Sequence, residues 1–306
     1  MEMKKDIIQT ELLTKKFGET TASDKISIHV KEGEIYGFLG LNGAGKTSLI
    51  RMLLGMIKPD NGTIRLFGKK LSTQFDQWND IGYLVETPCS YPNLTVKENL
   101  SVYYKLRQLS DPHLMDEIIE KLKLTNYWDK KAKVLSLGNQ QRLGLAKALM
   151  HKPKLLLLDE PINGLDPEGI VEVRELLKQL ATNGSTIFLS SHILGEISKV
   201  ANRIGIIHQG KLVKELTINE LHDQLIKKLI VNTNNNESAL KELLNHNYKA
   251  VLTAEHELEI TNSEAISKPE LISGLLAEKT YPPKKVFLYT EDLELFFLRT
   301  IKDRTP

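Results

Sequence analysis

Hydrophobic and polar positions alternate in short bursts over the first 35 residues, which predicts sheet strands. The candidate strand positions are Ile7, Leu12, Ile26, Ile28 and Val30. Turns are expected near Gly18 and Gly33, because glycine accepts the backbone conformations that tight turns need. An apolar run at 35–39 then predicts a buried strand, and 48–54 has helical spacing. A strand, a loop and a helix therefore follow one another over residues 35–54.

Helical spacing dominates from Thr95 to Met150 and separates two regions of sheet character. The segment 58–62 predicts a turn, and 63–67 a strand. Three helices are then expected: one behind the capping box formed by Thr95 and Glu98, one starting at 110–112, and one over 137–150. Short apolar runs at 155–158, 186–189 and 203–207 predict buried parallel strands, with a helix over 168–182 between the first two.

The pattern changes again after about residue 221, where 232–236 is a polar loop. The expected elements are a strand at 228–232, a helix at 237–245, strands at 248–253 and 256–261, a helix at 267–278, a strand at 284–289 and a helix at 290–302. Their order predicts a small α+β sheet of ferredoxin-like type. We therefore expect two domains, 1–221 with a helical subdomain at about 87–152, and 222–306.

Composition narrows the classes of function. The chain has 306 residues, with 41 Lys plus Arg against 39 Asp plus Glu, so its net charge of +2 does not suggest nucleic acid as a partner. A single cysteine, Cys89, excludes an internal disulfide and fits a reducing compartment. The apolar runs are too short to span a bilayer, and 1–6 lacks the apolar core of a signal peptide. We expect a cytoplasmic chain.

Residues 40–47 fit the phosphate-loop pattern G-x-x-x-x-G-K-[ST] at every fixed position. Glycines let backbone N–H groups converge on phosphates, and the start of the following helix adds the positive end of its dipole. Lys46 would reach the β- and γ-phosphates, and the Thr47 hydroxyl would bind Mg²⁺. The candidate nucleotide-binding residues are Gly40, Asn42, Gly43, Ala44, Gly45, Lys46, Thr47 and Ser48.

A second motif lies at the end of the apolar strand 155–158, which delivers two adjacent carboxylates. Asp159 can hold Mg²⁺, usually through water, and Glu160 can accept a proton from an attacking water. A strand that ends in Asp-Glu is by itself common. Downstream of a phosphate loop, however, the two acids predict nucleotide hydrolysis.

Four further segments carry a resemblance to a known family: 135–142, 161–167, 190–192 and Phe17. With the loop and the acidic strand, they resemble the ATP-binding cassette (ABC) ATPases, which drive membrane transporters. The resemblance spans residues 6 to about 216. It implies an α/β fold, a P-loop NTPase cassette with a RecA-like core, an antiparallel β subdomain and a helical insert, to which the small C-terminal domain is added.

The resemblance also implies roles. The signature residues Ser136, Leu137, Gly138 and Asn139 would contact the ATP held by a partner cassette. Asp166 would lie in a loop shared across the dimer, His192 would contact the γ-phosphate, and Phe17 would stack on adenine. A serine at a helix start suits a phosphate, since it adds a hydroxyl to amide donors and a dipole end. The implied partners are a second copy of the chain and a separate membrane permease that holds the cassette against the inner face of the membrane.

Two departures from the family pattern point to a subgroup. Glu86 stands where most members have Gln; a carboxylate there can still meet Mg²⁺ or its water, but it adds a repulsive charge near the γ-phosphate. Leu137 and Asn139 replace the usual Gly and Gln, and Leu disfavours positive φ. With the segment 86–95, these changes resemble bacitracin-resistance and lantibiotic-immunity transporters. A coupling surface is expected over 87–105, where Tyr91, Tyr103 and Tyr104 either contact the permease or pack within the insert.

The motifs in the chain argue against three other classes of nucleotide-binding protein. A small GTPase would need an Asn-Lys-x-Asp motif, which the chain lacks, and a small-molecule kinase would lack the signature and switch segments. A cassette that binds ATP without hydrolysing it would be expected to lose Glu160 or His192. An exporter of another drug, lipid or bacteriocin, or a soluble cassette outside transport, is the alternative to peptide-antibiotic export.

Overall fold

The structure, a computed structural model, describes residues 5–86 and 90–302. The chain divides into two compact units. The first runs to Glu220 and takes in the chain end from Thr300, and the second is Leu221–Arg299. The expected limits of independent domains stay a prediction. Within the described residues, no helix is both long and apolar enough to cross a membrane.

An antiparallel sheet opens the first unit. It contains β1 (Asp6–Phe17), β2 (Thr20–Lys31), β4 (Asn61–Leu66) and β5 (Lys69–Lys70), in the order β2-β1-β4-β5. Burial alternates along β2 as the sequence predicts, with Ile26, Ile28 and Val30 inside. Leu12 differs: it is exposed and has φ 48° beside a shift in the β1–β2 register, so a bulge turns it away from the core.

A six-stranded sheet forms the centre of this unit. Its strands are β3 (Ile35–Leu39), β6 (Ile81–Leu84), β7 (Leu155–Asp159), β8 (Thr186–Ser191), β9 (Arg203–His208) and β10 (Lys211–Thr217). The order is β10-β9-β3-β8-β7-β6, and β10 alone pairs antiparallel with its neighbour. All residues of β3, β7 and β8 are buried, as expected for parallel strands covered on both faces.

The five helices predicted for the first unit are present in the predicted order: α1 (Lys46–Leu53), α2 (Val96–Leu106), α3 (Leu114–Lys121), α4 (Leu137–Leu149) and α5 (Pro167–Thr182). Two further helices were not predicted: α6 (Leu194–Ile197), and α7 (Ile218–Gln224), which runs across the boundary between the two units. The capping box is confirmed, since Glu98 N donates to Thr95 Oγ1 at 3.1 Å and Thr95 N to Glu98 Oε2 at 2.7 Å. The second helix begins later than the sequence predicts, because Asp111 accepts from His113 N in a turn before α3.

The second unit contains β11 (Lys227–Asn232), α8 (Asn236–Asn245), β12 (Ala250–Leu252), β13 (Leu258–Ile260), α9 (Ser263–Ser267), α10 (Pro269–Glu278), β14 (Lys285–Thr290) and most of α11 (Leu293–Lys302), whose last residues from Thr300 are grouped with the first unit. The sheet order is β12-β13-β11-β14 with antiparallel neighbours, over a core of its own that includes Leu229, Leu243 and Ile272. The helix expected at 267–278 is confirmed as α10, which begins two residues later, at Pro269. The short helix α9 before it was not predicted. It ends before Lys268, which has φ −134°, because proline disfavours the helical conformation of the residue before it.

Candidate active site

The candidate residues of the nucleotide site meet at one edge of the six-stranded sheet. The loop 40–45 follows β3, His192 follows β8, Asp159 ends β7, and Glu86 follows β6. These four strands are neighbours in the order β3-β8-β7-β6 and run parallel. Parallel strands bring their carboxyl ends to the same edge, where α/β proteins bind ligands. Residues far apart in sequence are thereby collected into one crevice.

The loop between β3 and α1 requires glycine for steric reasons. Gly43 and Gly45 have φ 79° and 111°, in the left-handed region. A Cβ on Gly45 would lie 2.0 Å from the carbonyl oxygen of Ala22 in β2. Gly45 is also the N-cap of α1, whose start has no side-chain cap and no acidic residue in its first turn. Asn42 and Gly43 are exposed, Ala44 is buried and Ser48 is half-buried, so the loop presents its backbone to an incoming ligand.

Lys46 is almost fully buried at the start of α1. Its Nζ donates to Gly40 O at 2.8 Å and lies 3.3 Å from Glu160 Oε1. A buried ammonium group is stable only when it is paired and hydrogen-bonded, and both conditions are met here. The lysine is thus held at the loop, opposite the second acid of the motif that ends β7.

Thr47 and Asp159 form a compact oxygen cluster. The Thr47 hydroxyl donates to Asp159 Oδ2 at 2.6 Å, and Ser190 Oγ donates to the other carboxylate oxygen. Asp159 is 3% exposed and Ser190 fully buried. A hydroxyl and a carboxylate oxygen are ligands that Mg²⁺ accepts when nucleotide phosphates and waters complete its octahedron. The donor set therefore fits the predicted magnesium ion.

Glu160 is pinned by its backbone and presents its carboxylate to His192. Its N–H donates to Ser190 Oγ at 3.1 Å, and its carbonyl accepts from Gln141 Nε2 at 3.0 Å. With φ 49° it adopts a conformation that is rare for a non-glycine residue and clusters at functional sites. His192 Nδ1 lies 3.0 Å from Glu160 Oε2. Sequence reasoning did not identify Gln141 as the residue that holds Glu160, because only the fold brings α4 to the end of β7.

The signature residues form a second cluster with the loop 161–167. Ser136 is the N-cap of α4 and accepts from Asn139 N at 3.3 Å, and Asp166 caps α5 by accepting from Gly169 N at 2.9 Å. Leu137 is the first residue of α4, so the concern about positive φ does not apply. Its exposed side chain covers Gly164, where a Cβ would lie 2.6 Å from Leu137 Cγ.

Glu86 and Phe17 have no contact with the cluster of Lys46, Thr47, Asp159, Glu160 and His192 among the described hydrogen bonds, ion pairs and ring contacts. Arg51 Nη2 donates to Glu86 Oε1 at 2.6 Å, and Glu86, like Glu160, has positive φ, here 56°. Glu86 as a metal ligand stays a prediction. Phe17 is half-exposed at the end of β1, with Lys15 Nζ 5.4 Å from its ring centroid. Residues 87–89, at the start of the expected coupling surface, lie outside the described residues.

Several known proteins are similar to this chain in sequence. A sequence profile of the ABC transporter family matches residues 23–163. The bacitracin transport ATP-binding protein BcrA of Bacillus licheniformis is 40% identical over 96% of this chain and 97% of its own. BcrA of Enterococcus faecalis is 48% identical over 71% of each chain. The lantibiotic transport ATP-binding protein SrtF of Streptococcus pyogenes is 36% identical over 68% of this chain and 90% of its own.

Solved structures agree with the sequence relatives. An ATP-binding subunit of an ABC transporter superposes with a TM-score of 0.66 at 26% identity, over 71% of this chain and 92% of that one. A nucleotide-free ATP-binding cassette gives 0.62 at 27% identity, over 70% and 92%. A dimeric cassette bound to ADP and Pi, 24% identical, shares the fold with a TM-score of 0.64 over 69% and 98%.

Proposed function

We propose that this chain, which belongs to the family of ABC transporter ATP-binding proteins, energises export of peptide antibiotics through a separate membrane subunit. The chain binds nucleotide and hydrolyses ATP, as its family does. The observation that carries the proposal is the single cluster in which Lys46, Thr47, Asp159, Glu160 and His192 come together. The roles of individual residues follow from that cluster.

ATP is proposed to lie with its phosphates on the loop 40–47 and its adenine on Phe17. The left-handed glycines and the uncapped start of α1 favour an anion there. Lys46 is already anchored and would take a phosphate oxygen in place of Glu160. The Phe17 ring is exposed and can stack on a base. Asn42, Gly43 and Ser48 would line the phosphates through backbone or hydroxyl groups.

Thr47 and Asp159 would hold Mg²⁺, and Glu86 is the third candidate. The ion would supply positive charge to the β- and γ-phosphates. Ser190 supports this assignment because its hydroxyl orients the Asp159 carboxylate.

Glu160 is proposed as the group that accepts a proton from the attacking water. Its pinned backbone fixes the carboxylate, and loss of Lys46 to a phosphate would leave Oε1 available for a water. His192 would orient the carboxylate through Oε2 and reach the γ-phosphate with its other ring nitrogen.

Two copies are proposed to bind ATP between them, with the signature of one chain facing the phosphate loop of the other. Three exposed apolar side chains support such an interface: Leu41 in the loop, Leu137 in the signature and Ile193 after the switch histidine. The N-terminus of α4, capped by Ser136, would supply amide donors to the partner's ATP.

The membrane subunit is proposed to dock in a cavity of about 610 Å³ between the strand end at Glu86 and α2. Met56, Tyr83, Tyr91 and Leu106 line it and are all exposed. Tyr103 lines the same cavity, and its hydroxyl accepts a hydrogen bond from Arg107, so it both packs within the helical insert and faces the cavity. Such a docked chain would lie at the inner face of the cell membrane, in the cytoplasm.

The cargo assignment comes from relatives whose names specify bacitracin or lantibiotic transport. It is tested by expressing the chain with the membrane protein encoded beside it in a sensitive bacterium and measuring growth in each peptide. We expect protection that is abolished by Lys46→Ala. Protection against an unrelated drug alone would favour the alternative exporter. A pull-down of the chain that recovers no membrane partner would favour a soluble cassette.

A further inference from the structure

We propose that Arg51 is a positioning residue that holds the Glu86 carboxylate and cancels its charge beside the bound triphosphate. This inference rests on the proposed binding of ATP at the loop 40–47. The short contact between Arg51 Nη2 and Glu86 Oε1, 2.6 Å, is the observation behind it. It answers a problem raised by the sequence, where a carboxylate replaces an amide next to the expected γ-phosphate.

Arg51 belongs to the same helix as the phosphate-binding residues. It lies in the last turn of α1, four residues after Thr47, and residues spaced by four lie on one face of a helix. The guanidinium is therefore attached to the element that carries Lys46 and Thr47.

Glu86 reaches the same place from the sheet. Leu84, two residues earlier, pairs with Leu158, which directly precedes Asp159. Glu86 therefore leaves the sheet beside the acid proposed to hold Mg²⁺. The ion pair to Arg51 holds its side chain on the α1 side of this edge.

The charge balance makes the pair relevant to ATP. Asp159 and Glu160 already place two carboxylates at this edge, and Lys46 contacts Glu160. An unpaired Glu86 would add a third negative charge next to the triphosphate, which repels it. Pairing with Arg51 makes the two side chains neutral together. Both are partly exposed, 38% for Arg51 and 56% for Glu86, so solvent screens the effect and keeps it modest.

A merely structural role for Arg51 makes a different prediction. If the guanidinium only pinned the segment after β6 through the ion pair, Glu86→Gln would break the same contact and would be as harmful as Arg51→Gln. If it cancels a charge, Glu86→Gln should offset the loss of Arg51, because the two changes together restore a neutral total. Comparison of the two single variants with the double variant separates the two cases.

The experiment measures ATP hydrolysis by the full chain as a function of ATP concentration. We expect Arg51→Gln to raise KM for ATP by about two- to fivefold, the range of exposed ion pairs, with little change in kcat. Glu86→Gln should leave KM unchanged or lower it, and the double variant, Arg51→Gln with Glu86→Gln, should return KM to near the wild-type value because the total charge is again zero. Arg51→Lys keeps the charge and should retain most of the affinity. Lys69→Gln, which breaks an exposed ion pair with Asp76, is the matched control and should change nothing.

A double variant whose KM stays as high as that of Arg51→Gln, a KM raised equally by Glu86→Gln alone, or a loss confined to kcat would overturn the inference. Lys46→Ala separates this result from a failure of the proposed function. Hydrolysis that survives Lys46→Ala would mean that ATP binding does not depend on the loop, and both proposals would fall. Hydrolysis that needs Lys46, together with a KM that the double variant does not restore, would overturn the role of Arg51 alone.

Discussion

Two glutamates follow parallel strands at the same edge of the sheet, and they differ in how they are held. Glu160 and Glu86 both have left-handed backbones, with φ 49° and 56°. Glu160 is fixed by hydrogen bonds at its N–H and its carbonyl and contacts both Lys46 and His192. Glu86 is more exposed and has its ion pair with Arg51. The comparison separates a rigid position suited to chemistry from a looser one suited to responding to a partner.

The comparison predicts its largest effect at Glu160. Glu160→Gln should lower ATP turnover by about 10² or more, the contribution of a general base, and trap an ATP-bound dimer. Turnover is measured by phosphate release, and assembly by size-exclusion chromatography with ATP. Glu175→Gln, on the exposed side of α5, is the control. Near-normal hydrolysis by Glu160→Gln would refute its role as the base.

A smaller loss of ATP turnover is expected when Ser190 is changed, because Ser190 forms hydrogen bonds with both acidic residues at the end of β7. Ser190→Ala removes the hydroxyl that contacts the Asp159 carboxylate and the Glu160 N–H. The Glu160 N–H would keep the Ser190 carbonyl at 3.2 Å, but Asp159 Oδ1 would lose its hydroxyl donor. A buried acceptor without a donor costs about 1–3 kcal/mol, so turnover should fall roughly tenfold. If turnover is unchanged, the rigidity of this position is not what hydrolysis depends on.

The start of β6, the strand that leads to Glu86, should respond to pH. Burial and the nearby charge of Arg107 lower the pKa of His151 to about 4, while its Nε2 contacts Ile81 O at 3.1 Å. Below about pH 6.5, the ordinary pKa of histidine, His151 binds a proton in the unfolded chain but not in the folded chain until the pH approaches 4. The free energy of unfolding should therefore fall by about 1–2 kcal/mol between about pH 6.5 and 5, and this contribution should level off below about pH 4.

Chemical denaturation at several pH values measures this dependence. His151→Gln keeps a donor for Ile81 O and should flatten the profile, whereas His222→Gln, at an exposed position, should not. A wild-type profile that is already flat over this range would contradict the assignment.

A still smaller effect on hydrolysis is expected at the second glutamate. Glu86→Gln should change ATP turnover by less than about fivefold, because its ion pair is exposed. If Glu86 couples ATP hydrolysis to transport, Glu86→Gln should change protection against the peptide more than it changes ATP turnover. If both stay unchanged, Glu86 has no coupling role.

The smallest effect on hydrolysis should follow removal of residues 222–306, which contain none of the residues proposed at the site. This range includes the end of α7 and the chain end grouped with the first unit, as well as the second unit. A chain ending after residue 221 should keep its turnover within about twofold, on the scale of changes remote from a site. We expect it to lose dimer or membrane-subunit contacts, measured by co-purification. Unchanged assembly and transport would reject that role for residues 222–306.

Local features could be predicted from the sequence, whereas contacts between residues that are distant along the chain could be found only from the fold. The phosphate loop, the capping box at Thr95 and the buried strand before Asp159 each depend on neighbours within a few residues. The contacts of Arg51 with Glu86 and of Gln141 with Glu160 join segments 35 and 19 residues apart. Such contacts depend on which strands are neighbours in the sheet, and the strand order cannot be read from the spacing of residues along the chain. Lys268 shows the reverse case, where the proline after it already indicated the break.

Under the proposed binding mode, nucleotide would compete with the Glu160 carboxylate for the Lys46 ammonium group. Part of the binding energy would be used to exchange the carboxylate for a phosphate, and the carboxylate would regain the lysine when products leave. This exchange would weaken the retention of spent nucleotide. Glu160→Gln should therefore tighten nucleotide binding as well as slow the reaction.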